Sequence, residues 1–200
     1  MKKIYILLTS IILVALLAAS FLLLDFQIAH SQNRINSNVS TYAASLQKGE
    51  RLPPNRPLAV YVSGTGALAS TFRQELVQRL QTSPEFSNVD LHSSPIETMD
   101  KPVLRVEIIQ EAITWTPLYG KASPTFQVAF ASDGDITWRN TGTVFMSNDM
   151  GPVVRLQGTF EQADSTFGLL SRPAYMRLLS ESAAEQIVNS LSNALERPAG

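Results

Sequence analysis

The chain has 200 residues with a formal net charge of −1 and no cysteine. Near-neutral charge disfavours nucleic acid as a partner, since a phosphate-binding face needs a surplus of Lys and Arg. The missing cysteine excludes disulfides, thiolate metal sites, cysteine nucleophiles and a lipidated cysteine anchor.

Lys2 and Lys3 precede residues 4–24, which carry no charge before Asp25. At about 1.5 Å per residue this run rises roughly 31 Å, the thickness of a bilayer's hydrocarbon core. The expectation is a signal anchor: a single-pass helix over residues 1–24 in the plasma (inner) membrane, N-terminus cytoplasmic and the rest extracytoplasmic. A cleavable signal peptide is the competing reading, with Ala18-Ala19-Ser20 or Ala29-His30-Ser31 as cleavage regions. The apolar run continues past the first of these, and the second lies well beyond it.

Residues 25–57 read as a juxtamembrane stalk and linker. Ile28, Ile35, Val39, Tyr42 and Leu46 follow a heptad rhythm, the seam of a helix that Gly49 would end. Such a helix offers a homodimer through a short coiled coil, although polar Gln32 also falls on the seam. Leu52-Pro53-Pro54-Asn55-Arg56-Pro57 then reads as a stiff extended linker.

Residues 58–200 form the expected domain. Residues 58–62 make a short β-rich run, followed by the turn Ser63-Gly64-Thr65-Gly66 and a helix whose stripe is Leu68, Phe72, Leu76 and Leu80. A strand over residues 88–92 completes a β-α-β unit with parallel strands. Residues 103–115 alternate in one phase and then the other, so a β-bulge near residues 108–110 is expected. Strands are also expected around Phe126–Phe130, Ile136 and Trp138, Val144–Met146, and residues 153–160, with a turn at Asp133-Gly134. A final helix from about Pro173 carries Leu179, Ala183, Ile187, Leu191 and Leu195, with Ser171 as its N-cap. The fold class is therefore α/β, two-layer: β-α-β-β-β-β-β-α, a mixed sheet of about five to six strands with two helices on one face.

Chemical motifs are sparse. Gly64-Thr65-Gly66 opens a helix after a strand in the spelling of a dinucleotide loop, with Asp90 as the nearest acid for a ribose. No second β-α-β unit follows, so the turn reads first as backbone geometry and second as a weak anion or ligand site. A small hydrolase or ligand-binding enzyme would have to use the Ser63–Gly66 turn with His92, but Tyr61 stands where a nucleophile elbow requires Gly. Glu107 and Glu111 fall on opposite faces once the bulge is counted. Asp133-Gly134-Asp135 is a fragment of a calcium loop and no more. No catalytic residue, metal or cofactor is expected.

The remaining signal is apolar. Trp115, Leu118 and Tyr119 cluster beside Pro117 and Gly120, the composition of an exposed recognition loop, and Phe167 and Leu169 precede the last helix. Both segments at one edge would make a partner-binding surface. Beyond Asp25 the chain has 11 Arg and 3 Lys, and Arg is the commoner interface residue.

The element order over residues 58–62, 67–81, 88–92, 103–115 and the terminal helix resembles the extracytoplasmic α/β modules of envelope assembly and secretion, the LptE-like and CsgG-like lipoproteins. This chain lacks their lipidated cysteine. The resemblance implies a non-enzymatic, membrane-anchored accessory module with an envelope protein or amphipathic envelope molecule as partner. The alternatives kept beside it are the small enzyme and a structural dimer built on the stalk.

Overall fold

The computed structural model describes residues 2–44, 52–138 and 153–196. Among the described residues the elements succeed one another as α1 (Lys2–Leu23), β1 (Gln27–Ala44), β2 (Arg56–Ser63), α2 (Gly66–Thr82), β3 (Phe86–His92), β4 (Val103–Gln110), β5 (Ile113–Thr116), β6 (Tyr119–Ala122), β7 (Thr125–Ala131), β8 (Val153–Leu170) and α3 (Arg172–Glu196). The mixed α/β class stands. The sheet, with eight strands among the described residues, is larger than expected, and β1 and the β5–β6 hairpin are the reason.

The β-α-β unit forms as its pattern requires: β2 pairs β3 in parallel and also pairs β4 in parallel. Continuous apolar sequence in β2 matches burial on both faces, with Leu58, Ala59 and Val60 at 0% exposure. The bulge is present as a register shift between Ile108 and Gln110 in the β4–β7 ladder. It separates Glu107, which meets Arg105 on one face, from Glu111 on the other.

The remaining strands pair antiparallel around β8. One edge of β8 takes β7 along residues 155–161 and β6 along residues 164–167. The other edge takes β1 along its whole length. α2 and α3 lie side by side on one face, tied by Arg79–Glu185 at 3.4 Å. Their stripes close the main core, where the Phe72 and Phe126 rings sit 4.8 Å apart. Ser171 caps α3, its Oγ accepting from the Ala174 backbone at 3.3 Å.

Several expectations are corrected. The stalk is not a helix but an 18-residue strand, so the coiled-coil dimer has no basis. Ser, Asn and Thr fill the positions between its apolar residues; all three disfavour a helix interior, and Thr favours the strand. The partly buried residues are Ala29, Ser31, Ile35, Val39, Thr41 and Ala43, all on the odd-numbered face of a strand.

Among the described residues no helix is long and apolar enough to cross a membrane. The signal anchor, the single pass, the inner-membrane location and the membrane as partner are corrected by that finding. The α1 end is held instead to α3, through the Arg177–Asp25 ion pair and two backbone-mediated bonds between Phe26 and Ser171.

The loop expected at residues 115–124 is the β5–β6 hairpin, with Pro117-Leu118 at its tip. β8 runs ten residues past Phe160, where its inward positions, Gln162, Asp164 and Thr166, are polar and leave no apolar alternation. Gly134 turns the chain at φ 81°, but only an isolated bridge, Thr98 to Asp135, follows it rather than a strand at Ile136 and Trp138. The strand expected at residues 144–146 lies outside the described residues.

Candidate functional site

Two places gather the residues that the sequence singled out. The first is an apolar end of the open sheet face. Backbone bonds from Gly168 to Leu118 O (3.1 Å) and from Leu170 to Pro117 O (2.9 Å) fix the β5–β6 hairpin tip against the end of β8. Tyr119 stands opposite Phe167 with ring centroids 4.9 Å apart. Across the other edge of β8, Ile28 stands opposite Leu169 and His30 opposite Phe167. Leu118 is 63% exposed, Phe167 58%, Leu169 42% and Ile28 74%. Hairpin and terminal segment thus meet at one edge, and β1 adds Ile28.

Trp115 does not join them. Its indole nitrogen donates to Leu170 O at 3.2 Å, and its ring packs against the main core on the helix side. There it lines the second place, a cleft of about 480 Å³ with Gly66 and Ala67 of α2, Glu111, and Arg172 of α3. Gly64 and Gly66 hold positive φ, 118° and 92°, which makes the sharp entry into α2. A methyl group on Gly64 would lie 3.2 Å from the Ala69 side chain. The turn is tied from within: Arg73 donates Nη2 to Gly64 O (2.7 Å) and Nε to Val62 O (3.2 Å).

Thr65 makes no side-chain cap on α2. Burial raises the Glu111 carboxyl above its ordinary range, since desolvation opposes its charge. Glu111 and Arg172 give the cleft one carboxyl and one guanidinium over an apolar floor. Among the described residues its lining includes no Ser, Thr, Cys or His.

The other motifs are occupied structurally or stand apart. Asp90 pairs with Lys101 and accepts from Asn88 at 3.1 Å, and the Lys101 hydrogen bond holds its carboxyl below the usual range. It is therefore not poised for a ribose. His92 Nε2 is buried without a partner, and among the described residues no hydrogen bond joins it to Ser63. Asp133 Oδ2 accepts from Arg155 at 2.6 Å, and Asp135 Oδ1 accepts from the Thr137 backbone and hydroxyl.

A buried polar cluster ties β1 to β8 beside Tyr175 of α3, and the sequence reading missed it. Asp164, 3% exposed, accepts from Ser31 Oγ at 2.6 Å and Thr166 Oγ1 at 2.8 Å. Tyr175 lies beneath β6, where a methyl group on Gly120 would come within 2.6 Å of its ring. Burial, and then the neighbouring Asp164 charge, push the Tyr175 hydroxyl far above its ordinary value.

No protein-family profile and no curated protein matches the chain. Among solved structures it is similar to a single-substitution variant of the PelC dodecamer from Paraburkholderia phytofirmans, at 11% identity and a TM-score of 0.39, covering 82% of this chain and 100% of that one. The PelC dodecamer in a second crystal form matches at 10% identity and 0.38, over 76% and 96% of the two chains. The hypothetical protein CT253 from Chlamydia trachomatis matches at 15% and 0.40, over 70% and 98%.

Proposed function

We propose that this chain is a non-catalytic binding module that holds a partner protein at the apolar end of its sheet. The observation that carries the reading is the contiguous exposure of Leu118, Phe167, Leu169 and Ile28, which backbone pairing between β6, β8 and β1 fixes in place. Four large apolar side chains on a backbone that is already paired need little further backbone ordering when covered. Around them stand the polar residues Thr116, Gln32, Ser165 and His30, with Lys121 the single cation on β6. An apolar centre with a hydrogen-bonding rim is the anatomy of a protein interface, whereas an anionic headgroup or nucleic acid calls for clustered cations. The partner that fits presents an apolar surface of its own.

A photo-cross-linking side chain placed at Leu118 tests this against one at Ala163, exposed farther along β8 on the same face. The expected result is a single protein captured from position 118 and not from position 163. Its binding, measured with purified components, should weaken at least ten-fold in Phe167→Ser while the melting temperature stays nearly unchanged. Equal capture from both positions, or binding indifferent to Phe167→Ser, overturns the proposal.

A further inference from the structure

β1 pairs with β8 at every residue from Gln27 to Ala44, and among the described residues no strand pairs with its other edge. At about 3.3 Å per residue, that edge presents a row of backbone N–H and C=O groups roughly 60 Å long. Proteins usually blunt such edges with lysines, prolines, bulges or shortness. β1 has none of these: Gln27–Ala44 contains no Pro, Gly, Lys, Asp or Glu, and its ladder with β8 shows no register shift. The opposite edge of the sheet differs. β3 has seven residues and carries the Asp90–Lys101 ion pair.

The strand is also complementary to itself. Its formal charge is the single guanidinium of Arg34, so a strongly charged partner strand finds no match along it. In an antiparallel pair of two copies with the two-fold at Asn36, each Arg34 stands opposite an Asn38, each His30 opposite a Tyr42, and each Ser31 opposite a Thr41. All but one residue of β1 is paired in this register, and like charges are not directly opposed. Inward residues meet inward residues, so α2 and α3 of both copies stay on the same side of one continuous sheet. The lock of Ser31 onto Asp164 and of Gln162 onto Asn33 at 3.2 Å holds β1 in place in each copy, so pairing orders little that is not already ordered.

We propose that two copies of this chain form a closed, two-fold dimer by pairing their β1 edges antiparallel. Sedimentation equilibrium of the full chain reads it directly. A mild non-ionic detergent keeps the exposed apolar side chains of α1 from associating. The full chain should sediment as a dimer. The side chain of Asn36 is exposed, so Asn36→Lys leaves the fold intact by circular dichroism. It should raise the dimer dissociation constant at least ten-fold, because it sets two cations against each other at the two-fold. Asn36→Asp alone should do the same, and mixing the two variants should restore dimers. A monomer at every concentration, a dimer that ignores both charges, or growth into open-ended polymers would each overturn the proposal.

Discussion

The two halves of the sheet are built on different terms. In the parallel half, β3–β2–β4, the central strand β2 is covered on both faces. α2 and its neighbours close one side, and a small cluster of Ala59, Val103, Ile96, Ala131 and Ile136 closes the other. In the antiparallel half the helices cover one face only, and the outward residues of β8 and β1, from Glu161 and Ala163 to Phe167 and Ile28, meet solvent. A strand buried on both faces has no surface left to offer, whereas a strand buried on one keeps a face and, at β1, an edge. Stability should therefore be concentrated in the first half and recognition in the second.

The largest test of that division compares two phenylalanines. Phe72 is fully buried against Phe126, so Phe72→Ala should cost about 3–5 kcal/mol in urea unfolding. Phe167→Ala, on the open face, should cost well under about 1 kcal/mol, as surface substitutions do. Comparable losses would mean that Phe167 is core and that the open face is not open.

The second test sits where the antiparallel half is packed as tightly as the other. Gly120 on β6 lies against the Tyr175 ring, and its missing side chain is what lets α3 approach the hairpin. Gly120→Ala should destabilise by about 1–3 kcal/mol, because a buried ring under a strand cannot yield as a surface side chain does. An unchanged unfolding midpoint would show that the hairpin rides loosely on α3, and the apolar end would lose its rigid base.

How much was legible follows the same division. β2, α2, β3 and the bulge in β4 could be read because burial on one or both faces leaves a periodic apolar trace. Leu118, Tyr119, Phe167 and Leu169 could be found as exposed apolar candidates from composition, but their meeting at one edge needed the β6–β8 register. Trp115 could not be separated from them, because a hairpin sends neighbouring residues to opposite faces. The second half of β8 was obscured because its inward positions are Gln162, Asp164 and Thr166, and β1 because Ser31 and Thr41 interrupt its inward apolar residues while Ile35 and Val39 lie four apart, a spacing that a helix shares. A buried polar cluster leaves no hydrophobic period to follow. Glu111 and Arg172 come together only through the packing of α2 and α3 over β5.

The finest test addresses β1 itself, because a helix and a strand assign the same two isoleucines differently. On a heptad seam Ile28 and Ile35 are equivalent, one full repeat apart, and truncating either should cost about the same. In the strand an odd separation sends them to opposite faces. Ile35 is half-buried and packs against the main core, while Ile28 is 74% exposed beside Leu169. Ile35→Ser should therefore lower stability by about 1 kcal/mol more than Ile28→Ser, a fraction of the cost of a fully buried isoleucine. Ile28→Ser should act instead on partner capture, which Ile35→Ser leaves alone at temperatures where the chain is folded. Equal effects on stability would return the segment to a helix, and with it would go the edge on which the dimer depends.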